Sequence, residues 1–269
     1  MSADGGIQRL INFWAEFECT SGDRRVHKCD EKAGFPPVKC VRELTSVEVS
    51  PVKRYFDSPS PREDGFHLSL TPVPYIGDLK SADIFLLMTN PGVNYHDYGE
   101  DAYPQFQEVL KRNRKQEFDG AEPPCFALDP RFWWSGWFSY YEANLRPVVC
   151  ALAADRDISY LDALDALSRR LAILELVPYY SANADRIKNV LMLPLPSANA
   201  AKGAAQELAQ KAKDGKATII VRWKAREWDM AAQKDGKNII SLPHVGLLGT
   251  KAVYPIRRRL KVKRGTRLD

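Results

Sequence analysis

Four short apolar runs punctuate the chain, and each ends in residues that break regular structure. Residues 84–88 (Ile84-Phe85-Leu86-Leu87-Met88) run into Thr89-Asn90-Pro91-Gly92, and residues 171–177 run into Pro178-Tyr179-Tyr180-Ser181. Residues 217–221 form a third run, and residues 238–242 a fourth, ending in Pro243-His244-Val245-Gly246-Leu247-Leu248. Continuous apolar runs of this length, bounded by turn residues, read as strands buried on both faces. Between them lie helical patterns. Residues 6–18 carry Ile7, Leu10, Ile11, Phe13, Trp14 and Phe17 at helical spacing. Residues 103–115, 145–153, 158–170, 185–192, 198–213 and 224–233 are expected to be helices too, and a basic helix closes the chain. Strands alternating with helices predict an α/β fold, with a central four-stranded parallel sheet between two helical layers (three-layer α/β/α). Residues 19–80 lack the alternation. They are rich in Pro, Ser and charge, with short β-like pieces such as Val47-Glu48-Val49. The expected organisation is an N-terminal helix and irregular layer over residues 1–75, packed on an α/β/α domain over residues 76–269.

The punctuation carries the chemistry. Asn90-Pro91 stops its strand, because the residue before proline is pushed out of the helical region and Pro91 has no N–H. Gly92 is expected to permit a turn that a residue with a Cβ would resist. Asn90, Asn94, His96 and Asp97 are thereby delivered past the carboxyl end of a central strand, where open α/β sheets bind ligands. Residues 131–141 hold seven aromatics in eleven positions. Most are expected in the core, with one or two free to stack on a base.

Composition narrows the class. The chain has 269 residues, of which 45% are hydrophobic and 27% charged, as in a globular protein. No apolar run approaches a membrane span and no secretory signal is present, so a cytoplasmic protein without membrane attachment is expected. Cys19, Cys29, Cys40, Cys125 and Cys150 are odd in number and irregularly spaced, which suggests reduced thiols. A zinc site from Cys19, His27, Cys29 and Cys40 would lack any Cys-x-x-Cys pair, so no metal is expected. The net charge of +5 is unevenly spread: residues 257–267 carry seven positive charges. Such a run is a solvated tail or a phosphate-binding strip.

Three loops leaving strand ends, with Asn90-Pro91-Gly92 in the first and His244 and Leu247 in the last, resemble the uracil-DNA glycosylase superfamily. There the first loop reads Gly-Gln-Asp-Pro-Tyr or Gly-Ile-Asn-Pro-Gly, and the last reads His-Pro-Ser-Pro-Leu or a relative. Over about residues 76–260, the resemblance implies a monofunctional DNA glycosylase. Such an enzyme flips a base out of DNA, hydrolyses its N-glycosidic bond and leaves an abasic site. Asn90 would hold the attacking water, and His244 would donate a hydrogen bond to the departing base. Asp97 could supply a carboxylate, though no family motif supports it. Leu247 or Leu248 would fill the vacated stack, with Lys251, Arg257, Arg258 and Arg259 on the DNA backbone. Tyr95, Tyr98, Phe138 and Tyr179 remain alternatives for the ring that sandwiches the base. Gly92 stands where uracil-specific members carry a Tyr that crowds the pyrimidine 5 position. With the Tyr75-Ile76-Gly77-Asp78-Leu79-Lys80-Ser81-Ala82-Asp83 lead-in to the strand, this open position extends the likeness to bacterial anti-phage glycosylases that remove glucosylated hydroxymethylcytosine, with base excision as the other setting. No cofactor is expected, including an iron–sulfur cluster, since the cysteine spacing differs. The expected partner is DNA, double-stranded with a flipped base or single-stranded, bound by a monomer. Two other classes fit the same residues: a non-catalytic nucleic-acid-binding protein, and a nucleoside or nucleotide hydrolase.

Overall fold

The computed structural model describes residues 5–17, 25–33, 66–93, 96–181, 195–222, 225–233, 237–242 and 250–262. The strands are β1 (Tyr75–Ile76), β2 (Ile84–Met88), β3 (Leu171–Glu175), β4 (Thr218–Arg222) and β5 (Ile239–Leu242). They form one sheet in the order β1-β3-β2-β4-β5. The four apolar runs pair in parallel, with β2 between β3 and β4. The expected four-stranded sheet is corrected to five strands, because Tyr75–Ile76 adds an antiparallel edge on β3. Two residues are too few to produce a strand pattern in sequence, and the expected domain boundary runs through them.

Strand alternation feeds two cores. Phe85, Leu87, Ala172, Leu174, Ile219, Val221 and Ile239 pack with α1 (Gly6–Ala15) and α7 (Pro196–Lys213). Ile84, Leu86, Leu171, Ile173, Ile220 and Leu242 join the second cluster, with α5 (Gly136–Arg156), α6 (Tyr160–Ser168) and α8 (Thr250–Arg259). Helix α1 buries Ile7, Leu10, Ile11 and Trp14. Each fully buried aliphatic side chain there contributes about 1.5–3 kcal/mol. Its close approach to α7 needs a glycine: a Cβ on Gly6 would lie 2.1 Å from the carbonyl oxygen of Gly203.

The remaining helices are α2 (Lys28–Lys32), α3 (Asp97–Ala102) and α4 (Pro104–Lys115). Helix α5 begins earlier than its apolar spacing suggests. Ser135 caps it, its Oγ accepting from the Phe138 amide at 3.0 Å, and the aromatic stretch forms its first turns. The expected helix over residues 224–233 is absent from its described part. Asp229 sits at φ 56°, in the left-handed region that ends a helix, and only a 3₁₀ turn at Ala231–Gln233 comes after it. The expected helix at 185–192 and the β-like piece at 47–49 lie outside the described residues. Among the described residues, no helix is long and apolar enough to cross a membrane.

Candidate active site at the carboxyl end of the sheet

Strand β2 is central, so the loop leaving it is delivered to the middle of the sheet's carboxyl edge. The chain leaving β3 folds back along that loop. The Leu176 amide donates to the Met88 carbonyl at 3.1 Å and the Val177 amide to Thr89 at 2.9 Å. Farther on, Ser181 donates to Pro91 at 3.1 Å and accepts from Val93 at 3.2 Å. Gly92 and Ser181 thus form a parallel bridge.

This frame fixes the Asn90 side chain. Its Nδ2 donates to the Pro91 carbonyl at 2.8 Å and to Ser181 Oγ at 2.8 Å, with the Tyr179 carbonyl at 3.4 Å. Carbonyl oxygens only accept, so the amide nitrogen must face them and the amide cannot be flipped. Oδ1 is turned the other way, and no donor among the described residues reaches it. Asn90 is half-buried. The arrangement fixes the side chain and leaves Oδ1 as an acceptor without a donor among the described residues.

Gly92 corrects an expectation. Its φ lies outside the left-handed region, so the turn does not need a glycine. It is exposed, and a Cβ there would meet nothing within 4 Å. What the missing side chain supplies is space.

A second group at this edge belongs to no sequence motif. In-register pairing sets Glu175 beside Met88 and Arg222 beside Leu242. Leu87 opposite Val221 extends the row, so Glu175, Met88, Arg222 and Leu242 cross the sheet on one face. Two strand spacings, about 10 Å of backbone, separate Glu175 from Arg222, and no ion pair joins them. The Arg222 guanidinium instead donates to the Tyr140 hydroxyl and lies 5.1 Å from that ring's centroid. Glu175 is 2% exposed and its Oε2 has no hydrogen-bond partner. Burial pushes its carboxyl well above the usual range, against the pull of Arg222. Tyr141, also fully buried, is pushed up by burial and then by Glu175. The sequence signal was a lone acid closing an otherwise apolar strand.

Asp97 lies in the first turn of α3 and is buried. Its charge helps to raise the Tyr180 hydroxyl, after burial. That hydroxyl accepts from Trp137 Nε1 at 3.1 Å. On the same helix, Glu100 Oε1 accepts from the Gly136 amide at 2.6 Å, while its Oε2 is buried without a partner. Burial raises this carboxyl to about 7, the Gly136 hydrogen bond opposing.

Two of the stacking candidates are core side chains. Tyr98 is 6% exposed, and its hydroxyl meets His67 Nδ1 at 2.7 Å. Burial lowers His67 to about 4. Tyr179 is 1% exposed, donates to Asp30 Oδ2 at 2.6 Å and accepts from the His27 amide at 3.1 Å. Neither ring has a face open to a ligand. Phe138 is half-buried on the first turn of α5. Trp133, 70% exposed at the entrance to that helix, is the most accessible ring of the aromatic stretch. Tyr95, His244, Leu247 and Leu248 lie outside the described residues, and of Lys251 only the helical backbone is described.

The basic end of α8 lies at the opposite end of the sheet. Arg259 donates to the carbonyls of Ala217 at 2.7 Å and Gly215 at 2.9 Å, and to Thr218 Oγ1 at 3.1 Å. Arg258 donates to the Lys237 carbonyl and to Asn238 Oδ1 at 3.1 Å. These groups precede β4 and β5. A five-residue strand, about 16 Å, separates them from the Asn90 edge. Arg258 and Arg259, expected on the DNA backbone, fasten the sheet's amino end, and Arg257 is half-buried on the same turn. No protein-family model matches the chain, and comparison with curated proteins and with solved structures returns no match.

Proposed function

We propose that the chain is a monofunctional DNA glycosylase that hydrolyses the N-glycosidic bond of a flipped, 5-substituted pyrimidine, on an α/β/α fold of the uracil-DNA glycosylase type. The observation that carries it is the Asn90 amide, locked through Nδ2 by Ser181 and Pro91 so that Oδ1 is left as its acceptor, two residues from an open Gly92. An amide is too weak a base to take a proton from water, so its contribution is orientation. That suffices where breakage of the sugar–base bond runs ahead of attack. Oδ1 accepts a hydrogen from the water and aims its lone pair at the anomeric carbon. The space at Gly92 leaves room for a large 5-substituent such as a glucosylated hydroxymethyl group. His244, by the resemblance, donates to the departing base.

The test is base release. Duplex and single-stranded DNAs containing uracil, thymine mismatches, hydroxymethylcytosine or glucosylated hydroxymethylcytosine are incubated with the protein, and alkali-labile sites are counted. Release from the bulky 5-substituted base is expected. Binding without strand lability would leave a nucleic-acid-binding protein, and cleavage of free nucleosides alone would leave a nucleoside hydrolase.

A further inference from the structure

We propose that Glu175 is the proton donor to the departing base, and that the base is therefore of the cytosine type; this rests on the glycosylase reading of the Asn90 edge. The geometry comes first. Glu175 ends β3 beside Met88, two residues before Asn90 on the neighbouring strand. It is buried, and among the described residues no ion pair holds it and Oε2 has no hydrogen-bond partner. Folded proteins hydrogen-bond nearly all their buried polar atoms, so an orphan carboxyl oxygen at a strand end points to a ligand that completes it.

The charged and titratable groups facing Glu175 are Arg222 from β4 and Tyr140 and Tyr141 from α5. Strands β2 and β5 offer Met88 and Leu242 in the same row. Both tyrosines are themselves raised by burial, so they stay neutral, and Arg222 is engaged with Tyr140. Burial favours the protonated carboxyl, with Arg222 opposing.

A neutral carboxyl matches the cytosine edge: its O–H donates to N3, and its C=O accepts from the 4-amino group. When the C1′–N1 bond breaks, the electron pair moves into the ring and N3 becomes more basic. The proton passes from Glu175 to N3, and the base leaves neutral rather than as an unstable anion. Arg222 stabilises the carboxylate left behind. The water oxygen bonds to C1′, and the proton it releases returns to Glu175 through solvent, which closes the balance. A uracil already carries hydrogen on N3 and cannot receive the proton there.

Single-turnover release from DNA containing the 5-modified cytosine distinguishes the outcomes. Glu175→Gln keeps shape and hydrogen bonding but cannot transfer a proton. A loss of roughly 100-fold or more is expected, with affinity for abasic product DNA held within about twofold. The wild-type rate should fall at alkaline pH as the carboxyl ionises, and that fall should vanish in the variant. A second readout needs no activity. The infrared difference between wild type and Glu175→Gln at pH 7 should contain a protonated-carboxyl band. Absence of that band, or an active wild type matched by the variant in rate and pH profile, overturns the role of Glu175 alone. A wild type that releases no base from any of the DNAs overturns both readings.

Discussion

The two ends of the sheet are both charged, and they are built on opposite rules. At the amino end, Asp83 takes two hydrogen bonds from Arg170, with Arg259 at 3.9 Å. Arg170 reaches the Arg259 carbonyl at 3.1 Å, and Arg259 fastens Gly215, Ala217 and Thr218. The network closes on itself. At the carboxyl end, Thr89 Oγ1, Glu100 Oε2 and Glu175 Oε2 are buried without hydrogen bonds, and the Asn90 side-chain carbonyl meets no donor among the described residues. Leaving a buried polar atom unmatched costs about 1–3 kcal/mol. One end is therefore satisfied as it stands, and the other keeps unmatched polar atoms. A basic run marked the first end in the sequence, yet it is the second that has the features of a site.

Substitutions at the two ends should separate function from stability. The largest effect is expected at Gly92. Gly92→Tyr should abolish release of a glucosylated base by overlap, whereas Gly92→Ala, with nothing within 4 Å of its Cβ, should retain most of the rate. Equal activity of Tyr and Gly variants on the large base would show that the open space is unused. Asn90→Ala comes next, with a loss of about 2–4 kcal/mol of transition-state stabilisation. Its melting temperature should move little, because the backbone bridge between Gly92 and Ser181 remains. Arg259→Ala should do the reverse: about 1.5–3 kcal/mol of stability lost in urea unfolding, with the salt dependence of DNA affinity unchanged. A flattened salt slope would return Arg259 to the DNA interface.

The smallest effect is a slope. Glu100, at about 7 when folded, holds a proton that the unfolded chain gives up near 4.5. Between these values the folded state binds more protons, so this group lowers stability as pH rises, by at most about 1.4 kcal/mol per unit. Above about 7 its contribution is flat. Glu100→Gln should remove that part of the slope from unfolding curves taken at pH 5, 6 and 7. An unaltered slope would mean that the carboxyl has found a partner in solution.

The parallel strands were legible because burial on both faces needs apolar residues at every position, a demand written directly in residues 84–88 and 171–174. Helix α5 was legible only in its second half. Its first turns crowd Trp137, Phe138, Tyr140 and Tyr141 around both buried and exposed positions, so they carry no clean helical period. Glu175 was visible as a lone acid, but its neighbours Met88 and Arg222 come from strands far away in sequence, so its environment required the topology. The place of Arg258 and Arg259 was hidden for the same reason. A run of positive charge does not reveal which end of a sheet its helix will reach.

The bond between Asn90 and Pro91 also bears on how the site ages. Asparagine side chains decay chiefly when the next residue's backbone nitrogen attacks the amide carbon and forms a cyclic imide. Pro91 has no N–H with which to do so. Decay to aspartate would place a carboxylate against the Pro91 and Tyr179 carbonyls that now accept from Nδ2. The residue that ends the strand thus also protects Asn90 from slow chemical loss.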